Sequence, residues 1–109
     1  MIVEVTRADV IEAVDEILDG PVRRDYPRVA AELEEIARTA PRLAVEWWDD
    51  EEGCGCLIGA YRARHDMQPN PHNGTNDDLP RSLEDEIGMR FYRVFEPMCG
   101  THGILEIVD

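Results

Sequence analysis

Cys54-x-Cys56 and Cys99-x-x-His102 are the two places in this 109-residue chain where soft metal ligands fall close together, each beside a glycine. Three thiolates and one imidazole, two from each of two turns, make the donor set of a tetrahedral zinc site. One expectation is therefore a structural zinc domain in which Cys54, Cys56, Cys99 and His102 tie a hairpin to the last strand. Strand geometry argues the other way. Alternate strand residues share a face with their sulfurs about 7 Å apart, too far to share an ion unless the backbone turns. Buried cysteines also serve as small hydrophobes. The leading expectation is no cofactor, with zinc as the alternative.

Other chemistry has less to build on. Ser82 is the only serine and sits where it would cap a helix, so a serine triad would have to consume a structural residue. Cys99 and His102 lack a third group to orient them as a thiolate pair, and Cys54 and Cys56 lack the two-residue spacing of a redox pair. Gly53, Gly55 and Gly59 follow a predicted strand, but Ile58 holds the third-glycine position of a dinucleotide fingerprint. The run Asp49, Asp50, Glu51 and Glu52 lacks the spaced ligands of a calcium loop and reads as a solvated turn. His65 and His72 flank a loop and read as solvated. A small enzyme is the third choice of function, with no catalytic set to name.

Charge says more than motif. The 24 acidic residues face 11 basic ones, all arginine, for a formal net charge of -13. Such a chain repels nucleic acid phosphates and anionic lipid, so neither direct nucleic acid binding nor membrane binding is expected. Its attractor is a protein with a basic surface. Residues 1–54 carry 15 acids against 6 arginines, which places the attraction in the amino-terminal half. A lysine-free composition fits a high-GC genome or a high-salt environment, and acidity on a small chain fits a phage-type accessory protein that mimics nucleic acid charge. No stretch reaches the roughly 18 apolar residues of a membrane span, no export signal opens the chain, and the three cysteines do not suggest a disulfide framework, so a cytoplasmic location is expected.

The elements that would position these residues follow from periodicity. Met1–Val5 is a short β-branched strand. Thr6 caps a first helix, with Asp9 at the reciprocal position. Val10, Ile11, Val14, Ile17 and Leu18 form its apolar face, and Gly20-Pro21 ends it. Its polar face carries Glu12, Asp15, Glu16 and Asp19, the leading candidate surface for a basic partner. A second helix begins at Asp25 and Pro27, buries Val29, Leu33, Ile36 and Ala37, and ends at Pro41. It carries Arg28/Glu32 and Glu34/Arg38 as i, i+4 pairs. Leu43–Trp48 reads as a strand; its two tryptophans point to opposite faces, so Trp47 or Trp48 is a candidate partner contact beside the Asp49–Glu52 turn.

The stretch Cys54–Tyr61 reads as a return strand passing into a helical turn. Residues 66–80 read as a long loop. Ser82 and Asp85 open a third helix with Leu83, Ile87, Phe91, Val94 and Phe95 buried, Pro97 closes it, and Ile104–Val108 is the last strand. The sum is a single α+β domain over residues 1–109, about three helices on a short, mostly antiparallel sheet. The expected function is a small non-enzymatic interaction protein, with a second copy of the chain as a further candidate partner.

Overall fold

Thr6 is the hinge between the first strand and the first helix: its hydroxyl accepts the Asp9 amide at 3.1 Å, which satisfies one of the open donors of the helix start. In this computed structural model, residues 2–45, 57–65, 78–100 and 103–109 are described. The elements are β1 (Ile2–Thr6), α1 (Arg7–Leu18), α2 (Pro21–Asp25), α3 (Pro27–Thr39), β2 (Arg42–Ala44), α4 (Leu57–Arg64), α5 (Arg81–Cys99) and β3 (Ile104–Val108). The α+β class is as expected, with five helices and a three-stranded mixed sheet among the described residues.

The sheet has the order β1-β3-β2, with β3 parallel to β1 and antiparallel to β2. The expected sheet is met in part: β2 is antiparallel to β3, whereas β1 and β3, separated by the intervening helices, form a parallel pair, which requires a long crossover of this kind. Leu105, Ile107, Val5 and Leu43 join the main core on one face of the sheet. On the other face, Arg42 of β2 lies opposite Glu106 of β3, their side chains 3.4 Å apart. Among the described residues, β2 overlaps the predicted 43–48 segment at Leu43 and Ala44. Val45 still donates to the Gly103 carbonyl at 3.0 Å, and residues 46–48 lie outside the described residues.

The helical core forms where the periodicity placed it. Val10, Val14, Ile17 and Leu18 of α1 are buried together with Val29, Leu33, Ile36 and Ala37 of α3 and Ile87, Phe91 and Phe95 of α5. The Phe91 and Phe95 rings are tilted, with centroids 4.9 Å apart. Two arginines fasten helix ends. Arg7 donates to the carbonyls of Ala37 and Ala40 at the end of α3, and Arg90 to Ile17 at the end of α1, both matching a cation to the negative pole of a helix.

Several boundaries differ from expectation. Gly20-Pro21 ends α1 but also starts the extra short helix α2, because proline suits a first helical position. Asp25 does not cap α3: Tyr26 is the boundary residue, and Asp25 pairs with Arg24 at 3.0 Å. The 54–61 stretch is not a strand over its described part, since α4 begins at Leu57. Ser82 does not cap α5; Pro80 stands at that boundary, its carbonyl accepting the amides of Leu83 and Glu84 at 3.0 Å. Pro97 lies inside α5, and the helix stops instead at Gly100, whose φ of 82° suits a residue without a Cβ. Val94 is exposed on the solvent side of α5, not part of its buried face.

Candidate functional site

The four carboxylates of the first helix do share a surface. Glu12, Asp15, Glu16 and Asp19 are all exposed, and their i, i+3, i+4, i+7 spacing puts them on one side of the helix and its C-cap. Arg23 of α2 turns back onto this surface. Its guanidinium lies 2.8 Å from Asp15, 4.0 Å from Asp19 and 2.5 Å from Glu34 of α3. Donating to the Glu34 carboxylate, and to that of Asp15, holds Arg23 protonated above its ordinary range. The stripe is therefore divided: Asp15 and Asp19 share a cation, whereas among the described residues Glu12 and Glu16 form no ion pair. A shallow groove of about 270 Å³ runs beside Glu16, lined also by Arg90 and Arg93 of α5. Trp47, Trp48 and the Asp49–Glu52 run, the other candidate partner contacts, lie outside the described residues.

The second concentration of polar groups is a cleft of about 640 Å³ where the start of α3 meets the end of α4. Asp25, Tyr26, Arg28, Glu32, Tyr61, His65 and Asp78 line it with Pro27 and Val29. His65 Nε2 lies 2.7 Å from Glu32 Oε2, and the Tyr61 ring backs the imidazole at a centroid distance of 4.8 Å. Glu32 is thus drawn to α4, and Glu34 to α2, in place of the expected helical pairs with Arg28 and Arg38. His65, read from the sequence as solvated, is half-exposed and oriented by its neighbours.

Behind this cleft lies a pair that the sequence did not reveal. Arg62 of α4 donates through Nε to Glu84 Oε2 at 2.8 Å and through Nη2 to Oε1 at 3.1 Å, and each side chain is 1% exposed. Two-point contact between a planar guanidinium and a carboxylate is the arrangement best able to offset desolvation of both charges. It locks α4 onto α5 and so fixes the end of α4 that carries His65. Arg62 and Arg64 lie only two residues apart in the sequence, which held no signal of which charge would be buried.

Of the zinc set, only Cys99 is described; Cys54, Cys56 and His102 lie outside the described residues. The Cys99 thiol is buried, donates to the Phe95 carbonyl at 3.4 Å, and packs so close to Gly103 that a Cβ there would collide with its sulfur. Burial pushes its pKa up from the ordinary thiol value. Among the described residues no three metal-ligating groups come together, and no helix is long and apolar enough to cross a membrane. No known family matches the chain, and no curated protein or solved structure resembles it closely enough to match.

Proposed function

We propose that this protein is a non-enzymatic accessory protein that docks a basic surface of another protein through the acidic face of α1. The observation that supports the reading is how the two signs of charge are used. At least eight of the 11 arginines are turned to partners inside the fold: Arg7, Arg23, Arg24, Arg42, Arg62, Arg64, Arg81 and Arg90. Exposed acids such as Glu12 and Glu16 have no such partner among the described residues. Most of the cations have an acceptor within the chain, and the excess of acids over arginines leaves a surplus of anions. Residues 46–56 add five acids and no arginine to that surplus. A field of this sign raises the encounter rate with a basic surface, including one of the kind that binds nucleic acid phosphates.

The test uses a fluorescent nona-arginine peptide and the full chain. Glu12→Gln/Glu16→Gln removes two unpaired charges and leaves the Arg23 pairs in place. Glu35→Gln/Glu86→Gln removes two exposed charges from α3 and α5. The α1 variant is expected to weaken binding about fivefold more than the control, on the order of a kcal/mol. Equal weakening by both pairs would make the attraction a property of total charge and not of α1.

A further inference from the structure

We infer that the groove between α1 and α5 seats an amphipathic helix of the basic partner, an inference that rests on the docking reading and gives the partner a shape. Val94 and Met98 stand one turn apart on α5, exposed at 44% and 50%. The only other large hydrophobic side chains so exposed among the described residues, Ile2 and Val108, belong to strands. Arg90, one turn before Val94, donates to the Ile17 carbonyl at 3.2 Å and joins this stripe to α1. Ala13 and Ile17 of α1 complete, with Val94, the apolar lining of the groove of about 270 Å³. Its two rims differ in charge. Glu16 stands on the α1 side with Glu12 one turn before it, and Arg93 stands on the α5 side. All three are exposed, and none of them forms an ion pair among the described residues.

The kind of occupant follows from these walls. Both are helices, whose backbone donors and acceptors are spent internally, so an extended segment lying between them would leave its own main chain without partners. A helix brings its backbone hydrogen bonds with it, and apolar residues three or four apart on one face match the spacing of Val94 and Met98. Basic residues along one flank of that face stand over Glu12 and Glu16, and a flank free of them lies along Arg93. The two rims therefore fix which way round the helix sits. A second copy of the chain meets the same apolar stripe but carries a net charge of -13 of its own, which opposes its approach.

Peptides of equal charge separate this groove from general attraction. One fluorescent peptide of leucine, alanine and lysine carries its leucines on a single helical face, and the other has the same composition in scrambled order. Their binding to the full chain is compared at one ionic strength for wild type, Val94→Gln/Met98→Gln, Ile2→Thr/Val108→Thr and Glu12→Gln/Glu16→Gln, with circular dichroism confirming that each variant is folded. Wild type is expected to prefer the amphipathic peptide about tenfold, the size expected from covering two half-exposed apolar side chains. Val94→Gln/Met98→Gln brings the ratio close to one and leaves the scrambled peptide's affinity unchanged. Ile2→Thr/Val108→Thr keeps the preference, and Glu12→Gln/Glu16→Gln weakens both peptides. No preference in wild type, with the α1 variant still weakening both peptides, would overturn the groove and leave the docking reading standing. A preference that survives Val94→Gln/Met98→Gln would place the apolar contact elsewhere and overturn the groove too. A wild-type dimer in sedimentation velocity that Val94→Gln/Met98→Gln dissociates would make a second copy the occupant in place of the partner helix. Failure of both peptides to bind would overturn the docking reading and this inference with it.

Discussion

Replacing Glu84 by Gln keeps the shape of the side chain but removes the charge that faces Arg62 inside the protein. Both side chains are 1% exposed, so the guanidinium cannot turn to solvent without moving α4 away from α5. Removing one member of a buried pair costs about 3 to 5 kcal/mol, because the remaining charge stays desolvated. A chain of this size has about 5 to 15 kcal/mol of stability in total. Glu84→Gln is therefore expected to remove a large part of it and to lower Tm by roughly 12 to 20 °C, at about 4 °C per kcal/mol. Arg62→Met should cost a similar amount by stranding the carboxylate. The double variant Arg62→Met/Glu84→Leu, which removes both members of the pair, should lose much less than the sum of the two single losses. Urea unfolding followed by circular dichroism measures all four corners of the cycle. Single-variant losses below about 1 kcal/mol, or a double variant that loses the sum of the two, would refute the claim that the pair is coupled and buried.

Truncation in the core should be costly where packing is complete: Leu33→Ala and Phe91→Ala, at positions with 0% exposure, should each lose about 2 to 5 kcal/mol, and unchanged thermal stability in both would contradict the core assignment. In the folded protein at pH 8, at least one of the three thiols should resist iodoacetamide until denaturant is added, because Cys99 is buried and its thiol pKa is raised. A raised folded-state pKa stabilises the protein below the unfolded thiol value of about 8.5, and that contribution is lost as pH rises past it; the urea midpoint should fall on the alkaline side, and a midpoint that rises there would contradict the burial of Cys99. The docking reading needs no cofactor, so protein purified without added metal is expected to carry well under one zinc per chain by atomic emission; about one zinc per chain, with unfolding by a chelator, would favour the four-ligand reading instead.

The helices α1 and α3 were legible because their apolar residues recur on one face and their boundaries carry Thr6, Pro27 and Pro41, whose effects are local. By contrast, α4 was not, for a physical reason. Leu57, Ile58, Gly59, Tyr61 and Arg62 are all buried, and the open side carries Ala60 and Ala63 beside a single charge, Arg64, so no polar face marks a helical period; short runs of this kind read equally as strands. A buried Arg62 runs against the usual exposure of that residue, and the approach of Glu84 from α5, 22 residues later, helps make its burial tolerable. Parallel pairing of β1 with β3 is likewise a contact between the two ends of the chain, set by how the helices pack and not by any local turn. The acidic stripe of α1 was read correctly as a shared exposed surface, but the sequence did not show that Arg23 folds back on Asp15 and Asp19. The cleft was missed because Glu32 and His65 are 33 residues apart and neither forms a motif.

The dependence of nona-arginine binding on salt tests the α1 docking surface most directly. Charges that attract a basic partner lose reach as the screening length falls from about 14 Å at 0.05 M to about 4 Å at 0.5 M salt. Wild type should bind progressively more weakly across that range, with a steep slope of log Kd against log salt, and Glu12→Gln/Glu16→Gln should flatten the slope while α1 stays folded. A variant with the wild-type slope and wild-type affinity at every salt concentration would show that Glu12 and Glu16 are merely solvated, and would contradict the assignment of α1 as the docking surface.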